Sequence, residues 1–151
     1  MSAIEVGELL YEYEVKITRL TEYGVAFAPL AAGAAAPPPE GARFDVHFEG
    51  ASAGPRLKGA VQGVDYLHIR ADGRFALHIH AEITTDDGHK ISLHADGVAL
   101  PQPGSPVSGL RENVTLFSSS SAYAWVNGLQ VWGTGTVDLE RQVVHIKGYA
   151  A

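Results

Sequence analysis

Titratable side chains crowd one stretch of this chain. Between Val64 and Asp96 alternation along two successive hairpins places Tyr66, His68, His78, His80, Glu82, Ser92, His94 and Asp96 on one face of one sheet. Imidazoles beside carboxylates and a phenol are the usual makings of acid–base catalysis, polar ligand recognition or metal binding. In the segment Arg74–Thr84, Phe75, Leu77, Ile79, Ala81 and Ile83 point one way while His78, His80 and Glu82 point the other. The flanking Ala71-Asp72-Gly73 and Asp86-Asp87-Gly88 each end in the glycine that a three-residue hairpin loop favours. That loop length sets Ile83 opposite Ile91, Ala81 opposite Leu93, Glu82 opposite Ser92, His80 opposite His94 and His78 opposite Asp96. The first loop likewise pairs Ile69 with Phe75 and Val64 with His80. A two-residue loop would mix apolar with polar, which a sheet with one buried side does not tolerate.

The rest of the chain must position this face. Leu9–Leu20 reads as a long strand with Tyr11, Tyr13, Val15 and Ile17 on one side; Ala31–Glu40, rich in Ala, Gly and Pro, reads as a loop. Arg43–Glu49 is a short strand, Gly50–Pro55 a turn, and Arg56–Val61 the start of the next strand. Pro101–Ser108 is a second loop, Val114–Phe117 a strand, Ser118–Ser121 an exposed serine loop, and Gly128–Asp138 with Gln142–Tyr149 a closing hairpin. No segment carries a sustained helical period. The expected architecture is all-β: one domain over residues 1–151, an antiparallel, lipocalin-like or calycin-like closed barrel of about eight or nine strands. Closure is favoured over a sandwich because it removes exposed edges.

Composition narrows the function classes. A net charge of −6 with interspersed signs argues against nucleic acid or an anionic membrane as partner. The absence of cysteine excludes disulfides and thiolate metal sites. Met1–Leu10 lacks the basic and apolar regions of a secretory signal, so a cytoplasmic location is expected.

Gly54-Pro55-Arg56-Leu57-Lys58-Gly59, Asp65-Tyr66, Asp72-Gly73, Thr85-Asp86-Asp87-Gly88 with Ile91 and Gly97, and Tyr123-Ala124-Trp125-Val126-Asn127 follow one another in an order and spacing that carry a resemblance. Together they resemble the bacterial and fungal family called domain of unknown function 3237, over Gly50 to Tyr149. The resemblance implies a small β-barrel that binds or acts on a small molecule, with no agreed reaction. It also implies an Asp-x-Arg pair where this chain has His78 and His80, and an Arg where it has His94. Arg56 and Asp65 keep the family's pattern and become candidates for a pocket wall. By alternation Asp65 shares the apolar side with Leu67 and Ile69, where its pKa would be raised unless a bulge near Gly63 re-aims it.

Three readings of the histidine face stay open: a solvated outer surface, the lining of a polar cavity, or a zinc site of His78, His80 and His94 built from a His-x-His strand and a third His across the ladder. The expectation carried forward is a cofactor-independent isomerase, cyclase or hydratase/lyase acting by proton transfer on a carbonyl or phenolic metabolite. His78, His80, Asp65 and Tyr66 are its candidate catalytic residues; Arg56, Glu82, His94, Tyr123 and Trp125 are its candidate substrate contacts. Two alternatives stand beside it, a non-catalytic barrel holding a hydrophobic ligand and the zinc-dependent hydratase or hydrolase. A homodimer is the expected assembly.

Overall fold

The computed structural model describes residues 5–151; the Met1–Ile4 part of the N-terminal segment read above lies outside them. Eight antiparallel strands follow one another around a closed barrel: β1 (Leu9–Glu22), β2 (Ala42–Pro55), β3 (Lys58–Ile69), β4 (Phe75–Thr85), β5 (Lys90–Pro101), β6 (Val107–Phe117), β7 (Val131–Asp138) and β8 (Val143–Ala150). Strand β8 pairs back onto β1, with Tyr13 opposite Ile146 and Val15 opposite Val144. Among the described residues no helix is long and apolar enough to cross a membrane.

Both hairpins adopt the expected register. His78 faces Asp96, His80 faces His94 and Ile83 faces Ile91 across β4–β5, while Ile69 faces Phe75 and Val64 faces His80 across β3–β4. Gly73 and Gly88 close the two loops at φ 89° and 91°, a backbone that a Cβ disfavours.

Several local expectations are corrected. Gly50–Pro55 is not a turn but the end of β2, which stays paired to Ala53; the reversal falls at Arg56 and Leu57, both of whose amides donate to the Leu10 carbonyl. Strand β6 begins at Val107, seven residues before the strand read from sequence. The serine run is a loop with Ser119 and Ser121 exposed, but its first residue is anchored: Ser118 is buried, donates from Oγ to the Lys90 carbonyl at 3.0 Å, and is clamped on both backbone sides by the Asn127 amide. Two short helical pieces also form, α1 (Phe27–Ala31) and a 3-10 turn at Ala124–Gly128, each too short to leave a periodic signal.

The two ends of the barrel differ. The Arg56–Leu57 and Asp86–Gly88 turns and the 3-10 turn crowd one end, where Leu57 and Val126 are fully buried as a plug. The other end carries α1 with its Ala/Pro loop, the 102–106 loop and the 139–142 turn, and it stays open.

The interior is filled near the plug and hollow above it. In one row across the wall, Tyr11 of β1 lies beside Gly148, Gly148 beside Gly133, Gly133 beside Glu112, and Glu112 beside Gly97. The glycines make room for the large neighbours: a Cβ on Gly148 would fall within the Tyr11 ring, and one on Gly133 would meet Glu112 Oε1 at 3.0 Å. Gly148→Ala is therefore expected to lower unfolding free energy by about 2 kcal/mol through overpacking. Urea denaturation of this variant, Tyr11→Leu and their double checks the contact, because relief of a shared clash makes the double variant less destabilised than the sum.

Candidate functional site

A cavity of about 1130 Å³ opens from the unplugged end and runs down the barrel axis. It is at the large end of small-molecule sites, which run to roughly 1000 Å³. Val15, Val46, Leu67, Leu77, Ile79 and Val144 supply most of its wall, and Phe27 and Leu30 of α1 overhang the mouth. The Phe27 amide donates to Glu22 Oε2 at 2.7 Å and its ring packs edge-on against Phe44 at 5.1 Å, which ties α1 to the rim.

Three polar side chains interrupt the apolar lining lower down: Tyr13 from β1, Asp65 from β3 and Glu112 from β6. Their strands are spread around the barrel, so the groups face one another across the lumen. Asp65 sits among protein atoms yet keeps part of its surface open to the cavity. No bulge re-aims it, because the β3–β4 register is continuous through Asp65–Ile79 and His68–Ala76. Instead the carboxylate enters the ladder and accepts the His78 backbone N–H at 2.9 Å on Oδ1. Burial raises its pKa to about 6, an effect this hydrogen bond and the nearby His78 partly oppose.

Glu112 is more extreme. It is 5% exposed, and its Oε2 has no hydrogen-bond partner among the described residues. Burial, with a smaller contribution from the Asp65 charge, lifts its pKa to about 8. At neutral pH Asp65 is thus mostly ionised and Glu112 mostly protonated. The Tyr13 phenol is pushed well up, first by burial and then by Glu112. Below it Tyr11 stacks on the Tyr13 ring at 5.7 Å, its hydroxyl buried and unpartnered as well.

The histidine face does not line the barrel cavity; His80, His94 and Glu82 border instead a shallow polar depression of about 530 Å³ on the outer wall, with His47, Gln62 and Ser92. Phe75, Leu77 and Ile79 turn into the barrel, and His78, His80 and His94 stand exposed on its outer wall. The physical reason is alternation: a closed barrel has one inside, and the apolar half of β4 takes it while imidazoles keep their water. The cavity is consequently apolar with a few acids, not polar throughout.

His80 and His94 stack at 4.1 Å, and Tyr66 meets His80 edge-on at 5.6 Å. Glu82, beside them, accepts from Gln62 at 2.5 Å and Lys90 at 3.3 Å, contacts that hold its pKa below the usual range. Rings stacked face to face, their planes inclined by 29°, do not aim their nitrogens at one point, and His78 turns Nδ1 toward the Tyr66 carbonyl at 3.3 Å. Among the described residues no three His, Asp or Glu side chains converge as a metal would require. The residues present therefore do not fit the zinc alternative.

Arg56, Tyr123 and Trp125 are also away from the cavity, at the plugged end. Arg56 pairs with Glu8 at 3.0 Å and lies over the Trp125 ring at 4.2 Å, and the Tyr123 hydroxyl donates to Asp87 at 2.9 Å. Asp65 alone of the nine candidate residues reaches the cavity. Sequence reasoning missed Glu112, although Leu110, Glu112, Val114 and Leu116 share one parity; an acid in an otherwise apolar inward row was the available signal.

Comparison with known proteins now places the chain. The pattern of the family described as "Protein of unknown function (DUF3237)" matches residues 20–151. The chain belongs to the DUF3237 family. Solved structures similar to this DUF3237 protein include a protein of unknown function from Clostridium acetobutylicum ATCC 824, 19% identical with TM-score 0.76, covering 95% of this chain and 96% of that one. A β-barrel-like protein from Acinetobacter baumannii AYE is likewise 19% identical at TM-score 0.76, over 99% and 97% of the two chains. An enzyme from Penicillium herquei is 20% identical at TM-score 0.60, over 99% and 98%. A search of curated proteins gives no match. At these identities the likeness is one of fold.

The Glu112 environment has a measurable consequence. Folding raises its pKa from 4.5 to about 8, so the native state holds a proton that the unfolded chain releases. Stability must then fall as pH rises through that window and level off above it, a loss of about 5 kcal/mol. Glu112→Gln, which cannot ionise, is expected to flatten the decline and to outlast the parent protein at about pH 9. Urea denaturation across pH tests this; parallel profiles for the two proteins would contradict it.

Proposed function

We propose that this DUF3237 protein binds a small, largely apolar molecule inside its barrel and moves a proton on it without a cofactor. The observation that carries the reading is the pair of carboxyl groups in unlike environments at the base of an apolar cavity. A group ionised near neutrality beside one that keeps its proton forms a general base and a general acid in one site. Asp65 is the base, held by the His78 N–H; Glu112 is the acid; the Tyr13 hydroxyl is placed to donate to developing negative charge on a ligand oxygen.

The reaction class that uses this pair is proton transfer next to a carbonyl, as in isomerases, cyclases and hydratases/lyases. For a β,γ-unsaturated ketone, Asp65 takes the α-proton while Glu112 donates to the carbonyl oxygen. The electron pair of the C–H bond passes into a dienol; Asp65 then delivers its proton to the γ-carbon while the enol O–H returns its proton to Glu112, and the product is the conjugated enone with no net redox change. That a structural neighbour from Penicillium herquei is called an enzyme agrees with a catalytic use of the fold. Apolar walls serve a second reading equally well, a carrier that retains a hydrophobic ligand unchanged.

Incubation with a bicyclic β,γ-enone, followed by the absorbance of the conjugated product, separates the two. Turnover is expected, with kcat/KM rising through pH of about 6 as Asp65 ionises and falling through about 8 as Glu112 loses its proton. Asp65→Asn should cost about 10² to 10⁴-fold and Glu112→Gln about tenfold or more together with the basic limb, whereas His80→Ala and His94→Ala should leave the rate intact. Binding without turnover favours the carrier, and undiminished turnover in Asp65→Asn overturns the assignment.

A further inference from the structure

The charged groups bordering the cavity share one sign. Glu22 and Glu140 stand near the mouth and Asp65 and Glu112 lie deep inside, while among the described residues no lysine, arginine or histidine borders the space. Acids alone would decide little, since exposed carboxylates are satisfied by water. The decisive group is Glu112, a side chain of the cavity lining that is 5% exposed and whose buried Oε2 finds no partner among the described residues. Such an atom carries the full cost of lost hydration until something donates to it. Among the described residues no side chain of the wall donates to it. A ligand can.

We propose that the barrel interior is a site for lipophilic amines: an apolar body against the Val, Leu and Ile walls, and an ammonium group at the base of the cavity donating to Asp65 and Glu112. The inference rests on the reading of the interior as the ligand site and goes beyond it, because an amine of this kind would occupy the cavity as a ligand or inhibitor, with no reaction required. An ammonium carries three donors, enough for the unpartnered Glu112 oxygen and the free lone pairs of Asp65. It also offsets the burial of the carboxylates, which one alone in an apolar space cannot do. Anionic ligands meet the reverse case: a carboxylate or sulfonate would lie beside an ionised Asp65 with no cation to pair it. Carboxylate and phosphate metabolites are therefore excluded as occupants whatever their apolar part.

The pH dependence has a definite sign. The groups facing Glu112 from the elements around it are Asp65 on β3 and the phenols of Tyr13 and Tyr11 on β1; β7 and β8 contribute glycines there, and β5 contributes Gly97. An alkylammonium stays charged to about pH 10, as a lysine does. Between about pH 6 and 9 the ligand charge is constant while Glu112 ionises, so affinity rises with pH.

Titration of the full chain with three naphthalene probes, read by tryptophan quenching and calorimetry, tests this. Naphthylethylamine is the cation, acetonaphthone the neutral carbonyl and naphthoate the anion. The amine is expected to bind about tenfold more tightly than acetonaphthone, with naphthoate weaker by about tenfold or more. Amine affinity should rise about tenfold from pH 6 to 9, and Glu112→Gln should remove that rise while His94→Ala, on the outer wall, keeps it. Naphthoate binding as tightly as the amine, or amine affinity independent of pH, overturns the inference. Tight amine binding with no enone turnover sustains it while removing the catalytic reading. Failure of all three probes to bind removes both.

Discussion

Closure of the sheet is the constraint from which the other features of this molecule follow. Once β8 pairs with β1, every strand has a single inside, and alternate residues along all eight strands are committed to a space that water reaches only from one end. Apolar residues fill those positions almost everywhere, so the few polar side chains with the inward parity have nowhere else to go. Asp65, Glu112, Tyr11 and Tyr13 are in that position, and their raised pKa values are the cost of the commitment. The same rule sends His78, His80 and His94 to the outer wall. One geometric condition thus sorts two sets of titratable groups into different chemistry.

How the interior remains hollow is a matter of side-chain size. An eight-stranded barrel is narrow enough for its side chains to fill it, and near the plug they do: Tyr11 lies across Gly148, and Leu57 and Val126 seal the end. Above the Glu112 row the inward side chains are Val, Leu, Ile and Phe standing against the wall, and the centre is open. A cavity that is dry-walled and floored by acids raises the electrostatic stakes of anything that enters it, since charges there are poorly screened. The carboxyl pair can therefore act on a bound molecule more strongly than the many carboxylates on the surface. Glu112, unpartnered and costly to keep, is the residue that a purely structural barrel would have least reason to bury.

Much of the fold could be read directly. The Asp-Asp-Gly and Ala-Asp-Gly turns, with strict alternation on either side, specify a hairpin register to the residue, because a slip by one would invert every side chain. What could not be read locally was strand extent. Gly50–Pro55 has turn composition and yet continues β2, since its neighbours β1 and β3 supply the ladder partners that override local preference. Ser118 likewise looks solvated until Asn127, nine residues on, turns back and binds its backbone.

The candidate site divides along the same line. By itself the sequence determined which residues share a side of each strand, because side-chain direction alternates with a period of two whatever the surroundings. That was enough to put Asp65 with Leu67 and Ile69 and to expect a raised pKa. Which side faces inward, and which inward residues from distant strands meet, was decided only by the tertiary structure. Asp65 and Glu112 are 47 positions apart in the chain and come together through the curvature of the closed sheet, a long-range outcome that no local pattern encodes. The histidines were the conspicuous residues, but closure of the barrel left them in water and gave the buried chemistry to two acids.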